Sequence, residues 1–386
     1  MKIHFHNLLA IAAGLTLSTL WMSASCTGGT EKQQPSADST HRVTLLFAGD
    51  LMQHQKQIND AKQDDGTYSY EECFRYIKDD ISEADIAIAN FEVTLAGPPY
   101  GGYPRFCAPD EYLHWAMNTG FDVLLTCNNH SCDTGAKGIE RTIAMMDSLR
   151  VPHLGTYRNQ TERDAKYPFI YEKNGFRLAF LNYTYATNGI PVPSPYIVNG
   201  FDREQMKKDI AAAKAQHPDA IIAFMHWGEE YQLKQNKGQE ELAQWLLDQG
   251  VDHVVGNHPH VVQPAEVRTD SLGNKHLVCY SLGNIISNMT RPNTDGGMFI
   301  RLMLEKSPDG KVSVSNADYS LFWMSRAAVS GHKQNRIYPV TIPDTLLNAQ
   351  DRKLRQVFID GARGTFEKNN KNINERPLPW RGIAVK

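Results

Sequence analysis

No stretch of the 386 residues alternates Lys and Arg with aromatics, and the formal net charge is -3. A nucleic-acid backbone therefore finds no electrostatic docking surface, and nucleic acid is not an expected partner. Cysteine is scarce and unpatterned. Of six cysteines, Cys26 stands near the N-terminus, which leaves Cys73, Cys107, Cys127, Cys132 and Cys279 without the paired spacing of a zinc knuckle or a disulfide scaffold. They read as small buried apolar residues, with a Cys127–Cys132 bridge left open for an oxidising compartment. Internal repeats of about 20 to 50 residues are also absent, which excludes solenoids and propellers. What is present is apolar mass: 41% hydrophobic and 10% aromatic residues supply a core for one large domain or two ordinary ones.

The first 26 residues read as a targeting signal. Lys2 precedes a mostly apolar run from Leu8 to Trp21, and Ser23, Ala24 and Ser25 lead into Cys26. Small residues followed by a cysteine and a polar tract resemble the lipobox of bacterial lipoproteins, although Ser23 stands where that motif has Leu. The run is shorter than the roughly 20 apolar residues of a spanning helix, so an uncleaved anchor and soluble secretion are the competing readings. The lipoprotein reading places the chain in the cell envelope, periplasmic or at the cell surface, held to the membrane through a lipid. Residues 27–41 have almost no apolar content and are expected to form a flexible tether. Residues 42–386 are expected to fold as one domain.

Within that domain, short apolar runs alternate with helical spacings. Val43–Ala48, Ile86–Phe91, Val123–Thr126, Leu178–Tyr183, Ile221–Met225 and His253–Val255 read as strands. Tyr70–Ile81, Asp110–Asn118, Ile139–Leu149, Asp202–Ala215 and Glu240–Leu247 read as helices. Beyond Lys275 the segments Leu277–Leu282, Met298–Leu304 and Val312–Tyr319 alternate, with Pro308–Gly310 as a turn, and read as antiparallel strands. The fold class is α/β, either one mixed sheet or two sheets packed face to face, closed by a helix near Asp351–Ala362.

The unusual polar clusters all follow predicted strands: Gly49-Asp50, Asn90-Phe91-Glu92, Asn128-Asn129-His130, His226-Trp227-Gly228, His258-Pro259-His260 and Ser281-Leu282-Gly283-Asn284. Singly, each has an ordinary explanation. Asp50 and the Asn128-Asn129 pair suit turns, and a lone His226 suits a satisfied imidazole. His258-x-His260 is more telling, because residues two apart in extended chain project to the same side. Jointly they read as a metal centre, since strand ends lie along one edge where carboxylates, amides and imidazoles converge.

Taken in order, these motifs, with Leu46–Met52, Asp133, Gly135, Glu230-Tyr231, Gly256-Asn257 and Gln263-Pro264, resemble the CapA-type proteins of poly-gamma-glutamate capsule synthesis over residues 43–290. The resemblance implies a calcineurin-like metallophosphoesterase fold, a two-sheet β-sandwich flanked by helices. It implies metal ligands at Asp50, Glu92, Asn129, His226, His258 and His260 for two divalent cations of the Mn, Fe or Zn kind. His130 matches the imidazole that serves phosphatases as general acid or charge stabiliser. Asp133 is its candidate orienter or, equally, the N-cap of a helix starting at Gly135. The implied partner is a phosphoester or an anionic surface polymer, and the implied role is metal-dependent hydrolysis or, alternatively, polymer binding and export. Two departures stand out. Met52 occupies the position where phosphatases of this superfamily have His, with His54 as the nearest substitute, and Asn90-x-Glu92 replaces Gly-Asp-x-x-Asp. These leave open whether one metal is weakly held or missing.

Overall fold

A computed structural model of the protein describes residues 40–382. The expected signal over 1–26 and the tether up to residue 39 lie outside them. In chain order the strands are β1 (His41–Leu51), β2 (Ile86–Phe91), β3 (Val123–Leu125), β4 (His153–Leu154), β5 (Thr156–Tyr157), β6 (Phe169–Lys173), β7 (Phe176–Thr184), β8 (Ile197–Val198), β9 (Ala220–His226), β10 (His253–Asn257), β11 (Ala265–Thr269), β12 (Lys275–Cys279), β13 (Asn284–Ile286), β14 (Gly296–Lys306), β15 (Val312–Ser325), β16 (Arg336–Pro339) and β17 (Asn374–Glu375). One sheet runs β16-β15-β14-β1-β2-β3-β4, with β13 beside β1 and β17 beside β15. The other runs β11-β12-β10-β9-β7-β6, and β5 and β8 form a separate pair.

Each large sheet joins parallel strands to antiparallel ones, at one side of the first sheet and at both edges of the second. β1, β2, β3 and β4 are parallel to one another, as are β7, β9, β10 and β12. Antiparallel β14, β15 and β16 extend the first sheet, and β6 and β11 border the second.

The near-continuous apolar runs of β1 and β2 are explained by burial on both faces, as parallel strands require. Alternate residues go to different cores. Val43, Leu45 and Phe47 of β1, with Ile86 and Ile88 of β2, join Phe180 and Phe224 of the second sheet. Leu46 and Ala48, with Ala87, Ala89 and Phe91, face Tyr70, Phe74, Tyr112 and Leu113 instead. Phe47 meets Phe224 edge to face with ring centroids 5.7 Å apart, so the sheets lie face to face. Each such buried aromatic or aliphatic side chain contributes about 1.5–3 kcal/mol. A one-residue slip of β1 would exchange the two faces.

Helices cover the sandwich. Arg203–Ala215 is started by Asp202, whose carboxylate accepts from the backbone N–H groups of Glu204 and Gln205, and Lys237–Asp248 by a capping box between Asn236 and Gln239. Met206, Ile210, Leu242 and Leu246 bury their apolar stripes. This is the two-sheet, helix-flanked sandwich that the resemblance implies.

Local readings differ in places. Tyr70–Ile81 is not one helix but two short turns, Glu71–Phe74 and Lys78–Ser82. Ile77, at φ -120° and ψ -5°, breaks the helix, yet Cys73, Phe74, Ile77 and Ile81 are all buried. The apolar spacing was met by burial without a continuous backbone ladder. β12 is antiparallel to β11 but parallel to β10, because it belongs to the α/β part of the second sheet. The closing helix is longer than expected, Ala349–Asn369, and starts at an Asn348 cap. β1 begins one residue inside the expected tether, since His41 pairs with Lys306. Cys127 and Cys132 are not bridged; all five described cysteines are buried free thiols.

Candidate metal centre

Parallel strands of both sheets end at one edge, and β1, β2 and β9 deliver Asp50, Asn90 with Glu92, and His226 there, while the turns after β3 and β10 deliver Asn129 and His258 with His260. Two glycines make the approach possible. A Cβ on Gly49 would lie 1.8 Å from the Gly283 carbonyl oxygen, and one on Gly256 would lie 2.1 Å from the Tyr280 oxygen and 2.4 Å from Trp227 Nε1. With hydrogen there instead, Asp50 N–H donates to Gly283 O at 3.0 Å and Trp227 Nε1–H to Tyr280 O at 2.9 Å. The chain segments carrying Asp50, His226, His258 and Asn284 are thereby locked together.

At the centre, Asp50, Glu92 and His226 are fully buried and present donor atoms that all lie within 4.8 Å of one another. Asn90 braces the carboxylates, its Nδ2 donating to Asp50 Oδ1 at 2.8 Å and Glu92 Oε2 at 3.1 Å. His226 Nε2 lies 2.8 Å from Asn129 Oδ1 and 3.8 Å from Glu92 Oε1. His260 Nδ1 is 3.1 Å from Asp50 Oδ2 and 3.1 Å from Asn284 Oδ1, and its Nε2 is 3.9 Å from Glu92 Oε1. The His258 ring packs between those of His226, at 4.8 Å, and Tyr185, at 4.6 Å.

The His-x-His segment reaches the centre differently than extended chain would. β10 stops at Asn257, and His258 and His260 take φ of 101° and 57° around Pro259. The convergence comes from a left-handed turn, a costly backbone for non-glycine residues of the kind concentrated at functional sites.

His130 and Asp133 stand beside this cluster. Asp133 Oδ2 lies 2.7 Å from His130 Nδ1 and accepts the Phe106 backbone N–H at 2.6 Å. The N-cap of Gly135–Ser148 is Thr134, so Asp133 is not the cap residue. Asn188 links this pair to the centre: its Oδ1 accepts from Asn129 Nδ2 at 3.1 Å, and its Nδ2 lies 3.5 Å from His130 Nε2. All the residues singled out from the sequence therefore share one connected cluster. Neither Met52, at the position of the missing imidazole, nor its nearest substitute His54 belongs to a donor group there. Met52 is buried in the outer core, and His54 Nδ1 accepts the Asn288 backbone N–H at 3.1 Å.

Burial sets the electrostatics. Glu92 is pushed well above the usual carboxylate range, first by burial and then by the Asp50 charge. His226 is pushed well below the usual imidazole range by burial and then by His258, His260 and His130. His258 is lowered to about 3 by burial and then by His260 and His130. Neutral imidazoles offer the free nitrogen lone pairs that bind cations, and a bound cation would draw the proton from Glu92. Glu92 Oε1 and His258 Nδ1 are moreover buried without any hydrogen-bond partner. Such orphaned groups are costly, and a divalent cation would satisfy them. The residues fit a metal centre of mixed carboxylate, amide and imidazole donors.

Sequence reasoning noted Asn90, Asn284 and Glu230 within motifs but gave them no role at the site, and it passed over Asn188. Glu230 offers a donor atom within 4.8 Å of those of His258 and His260. The sequence carries it in the Glu230-Tyr231 motif, but nothing there marks it as a ligand. Asn188 precedes Gly189, a turn signal that accounts for it without any site.

Two curated relatives resemble most of the chain. "Capsule biosynthesis protein CapA" of Bacillus anthracis is 26% identical over 317 residues, covering 79% of this chain and 74% of that one. "PGA biosynthesis protein CapA" of Bacillus subtilis is 26% identical over 332 residues, covering 82% and 81%. Among solved structures, the NAD nucleotidase NadN of Haemophilus influenzae matches with a TM-score of 0.47 and 13% identity over 88% of this chain and 65% of that one. A putative 5'-nucleotidase from Staphylococcus aureus matches with a TM-score of 0.47 and 15% identity over 83% and 58%. The chain thus spans less than two thirds of either structure's length. The sequence profile described as "Bacterial capsule synthesis protein PGA_cap" matches residues 44–289, well over half of the sequence, and the chain belongs to that family.

Proposed function

We propose that the protein is an exported, metal-dependent hydrolase of phosphoester type that acts in the synthesis of a capsule or another anionic surface polymer. The observation that carries this reading is the junction of a dry donor cluster, Asp50, Glu92, Asn129, His226, His258 and His260, with the His130–Asp133 pair at its side. Two divalent cations of the Mn, Fe or Zn kind fit those donors. Such cations lower the pKa of water and offset charge on phosphoryl oxygens.

The remaining chemistry belongs to the chain. Asp133 holds the Nδ1 edge of His130, which leaves Nε2 as the edge that can pass a proton to a leaving oxygen. Phe106 packs against the His130 ring with centroids 4.5 Å apart and keeps water from that face. Asn188 orients the Asn129 amide so that its oxygen points to His226. Arg291 stacks over the Tyr231 ring at 4.4 Å, and Tyr231 lies 6.4 Å from His260, which brings one cationic side chain near the centre beside the exposed Glu230 carboxylate. The names of the Bacillus relatives support a poly-gamma-glutamate-like polymer as the context. The lipobox-like segment ending at Cys26 supports anchoring to the membrane through a lipid, periplasmic or at the cell surface.

The test is turnover of bis-p-nitrophenyl phosphate by the protein loaded with Mn, Fe or Zn. Metal-dependent turnover is expected. Its absence with all three metals, together with retention of anionic polymer on the loaded protein, would replace hydrolysis by polymer binding.

A further inference from the structure

Position 52 holds a thioether whose side chain is buried among Tyr70, Phe74 and Phe91. His54 belongs to neither group of donors at the centre. The structure nevertheless supplies another donor on the solvent side. We propose that Glu230, His258 and His260 form a solvent-facing metal position of two imidazoles and one carboxylate, in which Glu230 replaces the imidazole missing at Met52. The inference rests on the reading that the centre holds divalent cations.

The three residues present donor atoms all within 4.8 Å of one another, with the histidines buried and Glu230 exposed. His258 Nδ1 is buried and has no hydrogen-bond partner, so this imidazole is not committed to the protein. Glu230 is not placed there by a wandering loop. The Tyr231 N–H donates to the Pro259 carbonyl at 2.8 Å, tying the segment that carries Glu230 to the turn that carries both histidines. After His226 the chain reverses at Gly228, where φ is 90° and an added Cβ would lie 2.8 Å from the Gln239 carboxamide. Glycine alone permits that turn.

This group shares no residue with the buried group of Asp50, Glu92 and His226. The two sets can therefore be filled together. They also differ in character. Two carboxylates and one imidazole in a dry interior suit a firmly held cation. Two imidazoles and one exposed carboxylate are the donor set of zinc and iron sites that keep a position open for exchange. The outer position is then where substrate oxygen would arrive, beneath Tyr185 and beside Tyr231.

The test strips the full-length protein with chelator, titrates it with Co(II) and then Zn(II), and reads bound equivalents by mass spectrometry and the visible Co(II) bands. Variants are Glu230→Gln, the neighbouring exposed Glu229→Gln as control, and Glu92→Gln for the buried group. The expected result is two equivalents in wild type and in Glu229→Gln. Glu230→Gln should lose one equivalent and its share of the Co(II) bands, with the thermal unfolding of the stripped protein unchanged. If wild type holds only one equivalent, its loss in Glu230→Gln still supports the outer position. Equal equivalents and equal affinity in wild type and Glu230→Gln would overturn it, as would an equal loss in Glu229→Gln or a wild type that binds no metal. Should Glu230→Gln shed its equivalent while wild type turns over no phosphoester, the metal position stands and the hydrolase reading falls.

Discussion

The Asp133 carboxylate meets His130 Nδ1 at 2.7 Å through the same oxygen that accepts the Phe106 N–H, so one buried acid fixes both the imidazole and the loop packed on its face. Removing the imidazole should lower turnover by about 10² to 10⁴-fold, the range of a general acid or charge-stabilising group. His130→Ala should keep bound metal near wild type, because the ring is not needed to hold the cations. Asp133→Asn, which keeps an oxygen at the His130 Nδ1 edge, should lower turnover less than His130→Ala does. Wild-type turnover in His130→Ala would reduce His130 to a loop residue.

At Gly256, β10 passes close against Tyr280 and Trp227. Gly256→Ala pushes a methyl into the Tyr280 carbonyl and Trp227 Nε1. Overpacking of this kind costs roughly 1–3 kcal/mol, and here it also strains the 2.9 Å Trp227–Tyr280 hydrogen bond. Urea unfolding should show the loss, with weaker metal binding because the His258–His260 turn starts one residue beyond this strand. An unchanged midpoint would show that the strands separate more easily than their contacts imply.

Acid sensitivity should have a component far from the site. His253 is fully buried, its Nδ1 accepts the Leu277 N–H at 3.0 Å, and burial, then His276, lowers it from 6.5 to about 3. Above pH 6.5 neither folded nor unfolded chain protonates it, and it contributes nothing. Between 6.5 and about 3 the unfolded chain takes the proton and the folded one does not, so stability falls with pH, by about 2 kcal/mol at pH 5 for this group alone. His253→Asn, which keeps an acceptor, should flatten the stability profile of the metal-free protein from pH 6.5 to 5. A parallel profile would assign the acid loss to other groups.

Membrane attachment should depend on a single thiol. Cys26→Ser is expected to move the protein from the membrane fraction to the soluble one, and mass spectrometry of wild type should find an acylated Cys26. Retention of the variant in membranes, or an unmodified wild-type residue, would favour an uncleaved anchor.

Much of this architecture was written in apolar runs. The strands bearing Asp50, Asn90 and His226 are legible because parallel strands buried on both faces need continuous hydrophobic stretches, and polar residues at their ends then stand out. The edge strands Ala265–Thr269, Arg336–Pro339 and Asn374–Glu375 are not, since partly exposed short segments carry no such run. Tyr70–Ile81 misled because broken turns and a continuous helix bury the same positions. His258 and His260 were found for a reason that did not apply: a left-handed turn, not extended chain, brings them together. Glu230 lies in a motif of the resemblance without a role marked for it, and Asn188 reads as a turn; their places at the site depend on which loops fold beside them.

The most direct test of the whole account is bound metal and phosphodiester turnover measured together on wild type and on Asp50→Ala and His226→Ala. Asp50 and His226 sit in the buried group with Glu92, at strand ends from different sheets. The account predicts that wild type stripped by chelator regains turnover with Mn, Fe or Zn, and that each variant loses both metal and turnover. Variants that bind metal and turn over phosphodiester as wild type does would contradict it, because the convergence of the two sheets at this edge would then have no part in the chemistry.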